Sequence, residues 1–403
     1  MNQPAERLGS DGDSERERDI RYMQRALELA QRGLYTTDPN PRVGCVLVRD
    51  GRVLGEGWHE RAGEAHAEVN ALRAAAGAAG TTGAAGAAAG ATAYVTLEPC
   101  SHTGRTPPCV QALIGARVAR VVYASADPNP LVNGAGAAAL RAAGIDTVGE
   151  VLAEQARALN PGFFKRMSRG LPWVRVKLGT SLDGRTALAN GESRWITGPA
   201  ARQDAQRFRA RSSVVLSGSG TVLADDPALN VRVDGASRQP LRVLLDSDLR
   251  VPPQARMFDR EGPALVFTAS TDSVARDQLT RRGVQVQSVA RAAHGGLDLQ
   301  AVLRQLAERE ANEIWVEAGA RLAGALLTAR LVDEFIVYLA PSLLGPSARA
   351  MVDLREITRL DERMRLQFTE CVPIGPDLRL TAVPLAADAP AAAAPKAATT
   401  TAS

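Results

Sequence analysis

Apolar residues recur every three or four positions near the start of the chain, at Ile20, Met23, Leu27 and Ala30. Gly33 follows them, and glycine commonly ends a helix. Two β-rich runs come next, at 43–48 and 52–58, with Asp50-Gly51 between them. Asp-Gly favours a hairpin because both turn positions take positive φ. The pattern therefore predicts one helix and then an antiparallel pair of strands.

Strands and helices alternate from residue 65 onward. The first stretch predicts helices at 65–76, 108–114 and 135–143, and strands at 91–97, 120–125 and 146–151. After about residue 169 a second stretch predicts strands at 173–178, 214–217, 241–246, 264–268, 313–317 and 334–339, helices at 199–210, 299–310 and 320–331, and two terminal strands. Such alternation is typical of α/β layered sheets. We expect the last strands to form an antiparallel edge.

A chain of 403 residues exceeds one ordinary hydrophobic core, so two domains are expected. We place them at 20–169 and 170–385. The flanking segments 1–19 and 386–403 lack apolar periodicity and are predicted to be disordered tails. The uncharged stretch 74–97 is long enough to span a bilayer, but it is mostly Ala, Gly and Thr. We interpret it as a helix followed by a flexible Ala/Gly loop at 77–90.

Charge and cysteine content narrow the function classes. The formal net charge is +4 with acid and base intermixed, and aromatic residues make up 4% of the chain. These values argue against a nucleic-acid partner, which needs a basic face and stacking rings. Four cysteines are too few for a disulfide framework, and the polar N-terminus is not a signal peptide. We therefore expect a cytoplasmic protein without a membrane partner; a homo-oligomer is possible.

Three metal-ligand residues and one carboxylate form the strongest chemical signal. His66 and Glu68 begin a predicted helix, and Cys100 and Cys109 lie where a strand leads into the next helix. One imidazole and two thiolates suit Zn²⁺ and leave a fourth position for water, as in catalytic zinc sites. His-x-Glu followed by Pro-Cys-x-x-Cys is the zinc deaminase signature, in which the Glu moves protons. Here eight residues separate the two cysteines instead of two.

Other residues of these types receive a structural interpretation. Cys45 and Cys371 lie in apolar strands and are predicted to be buried in the core. His294 lies in a polar loop and is given no role. Without a Gly-x-Gly-x-x-Gly after a strand, a Rossmann site is not supported. A nucleotide phosphate at the start of the helix at 320–331 is one possibility, because free N–H groups there favour anions.

Several motifs closely resemble the bifunctional riboflavin-biosynthesis deaminase/reductase family. The deaminase motifs are TTDPNPRVGC at 36–45, HAE at 66–68 and TLEPCSHTGRTPPC at 96–109. The reductase motifs are KLGTSLDGR at 177–185, WITG at 195–198, TVLADDP at 221–227 and WVEAG at 315–319. In that family the wide cysteine spacing is normal. The resemblance covers roughly residues 20–385.

The resemblance implies a cytidine-deaminase-like three-layer α/β domain followed by a dihydrofolate-reductase-like α/β domain. It implies zinc-dependent hydrolytic deamination of 2,5-diamino-6-(5-phosphoribosylamino)pyrimidin-4(3H)-one. It also implies NADPH reduction of the ribosyl group of 5-amino-6-(5-phosphoribosylamino)uracil to ribityl. The partners would be small phosphoribosyl pyrimidines, and the cofactors one Zn²⁺ per deaminase site and NADPH.

The resemblance also assigns residues by matching position. Glu68 would be the deaminase acid/base, and Lys177 and Asp183 would polarise the substrate near the transferred hydride. The substrate would contact Asn40, His59 and Arg105 in the first domain and Ser193, Arg209, Leu229, Arg232 and Glu317 in the second. NADPH would contact Thr180, Trp195, Thr221, Asp225, Ser247, Gly319, Ala320, Arg321, Leu322, Ala323, Gly324 and Ala325. Two alternatives stay open: a nucleic-acid-editing deaminase and a non-catalytic scaffold held by zinc.

Overall fold

Two units divide the chain between Leu171 and Pro172, two residues beyond the predicted boundary. The computed structural model describes residues 14–80, 84–101, 108–130, 132–293 and 295–385. Most of the predicted N-terminal tail, 1–13, and the whole of the predicted C-terminal tail, 386–403, lie outside these ranges. The prediction was wrong for residues 15–19, which belong to the first helix. Ser14 and Glu17 form a capping box that starts this helix.

The first unit contains a five-stranded sheet with helices on both faces. Its elements are α1 (Glu15–Gln31), β1 (Gly44–Arg49), β2 (Arg52–Trp58), α2 (Ala67–Ala78), α3 (Ala84–Ala87), β3 (Thr92–Val95), α4 (Cys109–Gly115), β4 (Arg120–Tyr123), α5 (Ala135–Ala142), β5 (Asp146–Val148), α6 (Ala153–Leu159) and α7 (Pro161–Arg169). The strand order is β2-β1-β3-β4-β5. β1 pairs antiparallel with β2 and β3, and β3, β4 and β5 are parallel.

Two hydrophobic cores, one on each face of this sheet, make the unit three-layered. One core joins the sheet to residues of α2, α4 and α5, and the other joins it to α1 and α6. Helix α1 approaches the sheet so closely that a Cβ on Gly44 would lie 2.0 Å from the carbonyl oxygen of Ala26. The predicted α/β class and its three layers are confirmed.

The second unit contains a nine-stranded sheet. Its elements are β6 (Trp173–Ser181), β7 (Arg185–Ala187), α8 (Pro199–Arg211), β8 (Val214–Gly218), α9 (Ser219–Asp225), β9 (Leu241–Leu245), β10 (Ala264–Thr268), α10 (Ser273–Arg281), β11 (Gln285–Ser288), α11 (Leu299–Glu308), β12 (Glu313–Glu317), α12 (Ala320–Thr328), β13 (Glu334–Ala340), β14 (Arg349–Ala350) and β15 (Leu366–Ile374) and β16 (Asp377–Pro384). The sheet order is β11-β10-β9-β8-β12-β6-β13-β16-β15. Among the described residues of this sheet, β16 pairs antiparallel with both β13 and β15, which confirms the predicted antiparallel edge.

Two sequence interpretations need correction. Cys371 lies on the edge strand β15 but is exposed, because this strand shows most of its residues to solvent. The Ala/Gly segment 77–90 is not entirely a loop, since α2 continues to Ala78 and residues 84–87 form α3. Every helix in the described ranges is too short or too polar to cross a membrane.

A buried ion-pair network joins β6, β12 and β13 in the second unit. The Arg175 guanidinium, 5% exposed, contacts the carboxylates of Glu313 and Glu334, and Arg211 lies 3.1 Å from Glu313. Removing one partner from a buried pair leaves an uncompensated charge and typically costs about 3–5 kcal/mol. We expect Glu313→Gln to lower the free energy of unfolding of this unit by that amount in urea titrations. The exposed Glu308→Gln should leave it within about 0.5 kcal/mol, and an equally small effect for Glu313→Gln would contradict the network.

Candidate active sites

His66, Cys100 and Cys109 converge in the first unit. His66 is the N-cap of α2, Cys109 is the first residue of α4, and Cys100 follows β3. Their ligand atoms all lie within 4.8 Å of one another. The His66 Nδ1 atom is 3.1 Å from the Cys109 sulfur and 3.6 Å from the Cys100 sulfur. The starts of two helices and the segment after a strand thus bring together three residues that are up to 43 positions apart in the sequence.

The donor set fits zinc. Bond lengths of about 2.0 Å to nitrogen and 2.3 Å to sulfur place tetrahedral ligand atoms roughly 3.5–3.8 Å apart, close to the observed separations. The Cys109 thiol donates a hydrogen bond to Cys100 and, with His66 close by, lowers the pKa of Cys100 to about 4. Thiolate is the form that binds metal. These three residues would hold one zinc ion and leave its fourth position for water.

Glu68 lies beside the three ligands in the first turn of α2 and is 3% exposed. Burial raises the pKa of this carboxyl, and the neighbouring Cys100 thiolate raises it further. A carboxyl with a raised pKa accepts and releases a proton closer to neutral pH than an exposed one does. The position and the environment of Glu68 therefore suit a general acid/base.

His59 and Asn40 lie on the same side of the ligand cluster. The His59 ring packs edge-on against the His66 ring with centroids 5.3 Å apart. His59 Nδ1 lies 3.1 Å from the Ala65 carbonyl oxygen, and its Nε2 lies 3.1 Å from the Asn40 amide nitrogen. Burial lowers the pKa of His59 and favours its neutral form, with Nδ1 as donor and Nε2 as acceptor. Arg105, the third predicted pyrimidine contact, lies outside the described residues.

Glu98 supports the site and was not predicted to have a role. Its buried carboxylate accepts hydrogen bonds from the backbone N–H groups of Asp127, Gly134 and Ala137, at 3.3, 2.9 and 3.0 Å. The start of α5 is thereby fixed against the segment that carries Cys100. The Glu-Pro-Cys sequence hinted at this role, but the three donors are backbone groups without a sequence signature.

Gly136 provides a test of this support. A Cβ added at Gly136 would lie 2.0 Å from the Pro99 carbonyl oxygen, so Gly136→Ala must displace the backbone next to Cys100. We expect a 10- to 100-fold loss of zinc affinity, about the effect of disturbing groups that orient ligands. Gly115→Ala in α4 is the matched control, because no atom lies within 4 Å of its added Cβ. Competition titrations with a zinc chelator would measure both, and equal affinities would refute the coupling.

The second unit brings together Arg209 and Glu317, two of the predicted substrate residues. The Arg209 Nε and Nη2 atoms donate to the two Glu317 oxygens at 2.5 and 2.8 Å. Trp315 Nε1 also donates to Glu317, at 2.7 Å. The Arg209 charge and these hydrogen bonds lower the pKa of Glu317 to about 2, against the effect of its burial. The carboxylate is therefore ionised and fixed at neutral pH.

Lys177 lies near Glu317, because its strand, β6, is next to β12 in the sheet. Its side chain is half-buried, and the amine lies 6.0 Å from the centre of the Tyr338 ring. Burial lowers the pKa of Lys177, and the charge of Glu317 opposes this only in part. Arg232 is close enough to Arg209 and Glu317 for their charges to act on it, whereas Leu229 is a core residue, 1% exposed. Lys177, Arg209, Arg232 and Glu317 therefore form one charged cluster.

The predicted coenzyme residues border the start of α12. The Gly319 N–H donates to the Thr221 hydroxyl at 3.1 Å, and Gly319 caps α12 without a side-chain hydrogen bond. The first N–H groups of the helix are thus open to an anion such as a pyrophosphate. Gly324 serves packing instead, since its Cβ would lie 1.8 Å from the Asp353 carbonyl oxygen. The coenzyme contacts expected at residues 319–325 stay predictions.

The remaining predicted residues lie apart from the charged cluster or are engaged locally. The Asp183 carboxylate accepts from the Ser181 hydroxyl and from the N–H groups of Leu344 and Gly345, so it braces a loop. The Thr180 hydroxyl donates to backbone carbonyls. Trp195 is 69% exposed, with the Arg202 guanidinium 4.3 Å from its ring centre. Ser193 is half-buried in a loop, and Arg194 donates to the Asp225 carbonyl oxygen.

Two family models match the chain, one on each unit. The cytidine and deoxycytidylate deaminase zinc-binding region matches residues 16–125, and the RibD C-terminal domain matches residues 172–380. Riboflavin biosynthesis protein RibD of Escherichia coli K12 is 49% identical over 371 residues, which are 89% of this chain and 97% of that protein. The chain belongs to the RibD family. The Haemophilus influenzae RibD is 47% identical and covers 91% of this chain and 97% of its own.

Solved RibD structures agree with this assignment. The Acinetobacter baumannii RibD, form 1, superposes with a TM-score of 0.84 at 44% identity and covers 92% of this chain and all of that one. A Thermotoga maritima diaminohydroxyphosphoribosylaminopyrimidine deaminase/5-amino-6-(5-phosphoribosylamino)uracil reductase gives a TM-score of 0.81 at 30% identity, with 92% and 100% coverage. This RibD chain is therefore a bifunctional deaminase and reductase of riboflavin biosynthesis. It uses zinc and a nicotinamide cofactor. The alternative of a non-catalytic scaffold held by zinc is therefore rejected.

Proposed function

We propose that the first unit deaminates 2,5-diamino-6-(5-phosphoribosylamino)pyrimidin-4(3H)-one. We propose that the second unit then reduces the ribosyl group of 5-amino-6-(5-phosphoribosylamino)uracil with NADPH. The single observation that carries the proposal is the cluster of His66, Cys100 and Cys109 beside the buried Glu68. The name of the Thermotoga maritima protein, which is matched over its full length, supplies the substrate pair.

The deaminase residues divide into proton transfer and binding. Bound zinc supplies the nucleophile by lowering the pKa of water to about 7. Glu68 takes one proton of the attacking water and gives it to the ring nitrogen, and it then transfers the proton of the new C2 hydroxyl to the departing amino group. The sum is one water consumed, the C2–N bond broken, a C2 carbonyl formed and ammonia released. The neutral His59 and Asn40 would hold the pyrimidine, since both offer hydrogen-bonding groups next to His66.

The reductase residues supply charge and a proton. The coenzyme supplies a hydride to the ribosyl C1′. As the bond from C1′ to the ring oxygen breaks, Lys177 donates a proton to that oxygen, so hydride and proton together complete the reduction. Arg232 would bind the substrate phosphate, because a guanidinium offers two parallel donors to an anion, and Arg209 would add its positive charge nearby. Glu317 orients Arg209 through its two-pronged pairing.

Zinc removal tests whether only the deaminase activity depends on the metal. The full-length chain is treated with a chelator, and the chelator is then removed. This zinc-free protein should release no ammonia from the diaminopyrimidinone substrate. The same sample should still oxidise NADPH when given the deaminated uracil compound. One equivalent of Zn²⁺ per chain should restore ammonia release, whereas Mg²⁺ should not, because thiolate ligands select zinc. Unchanged ammonia release without zinc, or no release by untreated protein on this substrate, would overturn the proposal.

A further inference from the structure

Asn160 lies at the junction of α6 and α7 in the first unit and is 4% exposed. It occupies the N-cap position of α7, where an Asn side chain ordinarily accepts a hydrogen bond from an N–H of the first helical turn. The Asn160 side chain makes no such bond to α7, a helix that the structure describes in full. Because buried polar groups are almost always hydrogen-bonded, this amide must serve another part of the fold.

Both polar groups of the Asn160 side chain pair with one residue of a distant loop. Asn160 Oδ1 accepts from the Arg42 N–H at 2.8 Å, and Asn160 Nδ2 donates to the Arg42 carbonyl oxygen at 2.9 Å. The amide thus pairs with the Arg42 backbone much as a neighbouring strand would. The Arg42 guanidinium also donates, through Nη1, to the Leu159 carbonyl oxygen at 2.8 Å. These three hydrogen bonds tie residue 42 to the α6–α7 junction, 118 positions later in the chain.

Arg42 belongs to the segment between α1 and β1 that also carries Asn40. Sheet pairing begins only two residues after Arg42, at the start of β1. On the other side, the Thr37 hydroxyl donates to the Gly33 carbonyl oxygen at 3.1 Å. The Asn40 N–H donates to the Thr37 carbonyl oxygen at 2.8 Å. Asn40 is therefore held between the end of α1 and the α6–α7 junction.

The placement of Asn40 decides a contact beside the metal ligands. Asn40 Nδ2 lies 3.1 Å from His59 Nε2, and the His59 ring packs against the ring of His66. Arg42 is two positions from Asn40, so a shift of the Arg42 backbone moves Asn40 as well. A misplacement of about 1 Å in an active site is enough to lose much of a group's contribution.

We propose that Asn160 is a positioning residue of the deaminase, which holds the loop at 37–42 so that Asn40 meets the pyrimidine. This rests on the proposed function, in which Asn40 binds the substrate. The three zinc ligands lie on α2, on α4 and after β3, so zinc binding does not depend on this loop. A contact that holds the substrate equally before and during the reaction affects KM and leaves kcat unchanged.

Steady-state deamination by full-length Asn160→Ser protein tests the proposal. Serine is also a favoured N-cap residue, so the variant keeps a cap for α7, but one hydroxyl cannot replace the paired carbonyl and amino groups. We expect KM for the diaminopyrimidinone substrate to rise about 10-fold, the effect of losing one hydrogen bond, with kcat within about twofold. Zinc content and NADPH oxidation on the deaminated compound should match the wild type. Gln155→Ala removes an exposed amide from α6 and is the control.

A double-mutant cycle with Asn40→Ala separates positioning from a general effect on the fold. If Asn160 acts through Asn40, Asn160→Ser should raise KM in the wild-type chain and hardly at all in the Asn40→Ala chain. The same increase in both chains would overturn the inference, and so would an unchanged KM for Asn160→Ser. A loss of zinc and of kcat together would also overturn it, because Asn160 would then only support the fold.

The same assays distinguish this inference from the proposed function. Wild-type protein that releases no ammonia would refute the proposed function itself, whereas wild-type release with an unaffected Asn160→Ser variant would refute only the role of Asn160. An unchanged KM for Asn40→Ala would refute the binding role of Asn40 and the positioning role with it. Thermal unfolding checks that each variant folds. Asn160→Asp, which keeps the acceptor and removes the donor, carries the test if the serine variant does not fold, and an unchanged KM there would equally overturn the inference.

Discussion

Glu68→Gln is expected to lower the kcat of ammonia release by about 10²- to 10⁴-fold, the range of a general acid/base contribution. Glutamine keeps the size and hydrogen-bonding capacity of the side chain but cannot carry the proton. The zinc content should stay at one equivalent, because Glu68 is not among the three residues that converge as ligands. Reduction of the supplied deaminated compound should proceed at the wild-type rate. Ammonia release, NADPH oxidation and metal analysis on the same preparation would check all three.

Glu154→Gln is the matched control, since it makes the same charge change at an exposed position of α6 in the same unit. It should leave ammonia release unaltered. Wild-type deamination by zinc-loaded Glu68→Gln protein would show that another group moves the protons. Loss of zinc in this variant would instead mean that Glu68 helps to hold the metal.

Lys177→Met should remove reduction with little harm to the fold. The half-buried Lys177 side chain places its amine 6.0 Å from the Tyr338 ring centre, and methionine fills similar space without a charge. If Lys177 donates the proton to the ribosyl ring oxygen, kcat for NADPH oxidation should fall by about 10²- to 10⁴-fold. Ammonia release should continue, and the deaminated compound should accumulate. Product analysis by mass spectrometry would detect it, and rapid NADPH oxidation by the variant would contradict the role of Lys177.

The pH dependence gives a second readout for Lys177. Burial lowers the pKa of this amine from its ordinary value of 10.5. If reduction requires the protonated amine, its rate should fall as pH rises through that lowered pKa. The stability effect has a defined sign as well. The unfolded chain binds the proton more tightly, so the contribution of Lys177 is complete above pH 10.5 and is lost as pH falls through the folded pKa.

Lys177→Met lacks this titration. Its stability relative to the wild type should therefore increase as pH falls from 10.5, the ordinary lysine pKa, through the lowered pKa. Urea unfolding across this pH range would measure the difference. A stability difference that does not change with pH would mean that the amine titrates alike in both states.

Local patterns in the sequence predicted the fold class and the metal ligands. Periodicity located α1, and Asp50-Gly51 located the β1–β2 hairpin with its bounds nearly correct. His66, Cys100 and Cys109 were recognisable because ligand chemistry restricts residue type, and the structure brings them together. The start of α1 was missed even though Ser14 and Glu17 have the capping-box spacing.

Relations set by tertiary structure were not readable from the chain. Arg209 and Glu317 are 108 residues apart, and they pair only because α8 packs beside β12. Glu98 fixes three backbone N–H groups that any residue provides. Cys371 was wrongly placed in the core, because an apolar strand at a sheet edge still has a solvent face.

The most direct test of two consecutive sites in one chain follows the wild-type protein with the diaminopyrimidinone substrate, first without and then with NADPH. Without coenzyme, one ammonia should be released for each substrate, and the deaminated uracil compound should accumulate. Adding NADPH should then convert it to the ribityl compound with one NADPH oxidised for each molecule. Ammonia release that depends on NADPH, or NADPH oxidation on the diamino substrate before any ammonia appears, would contradict the account.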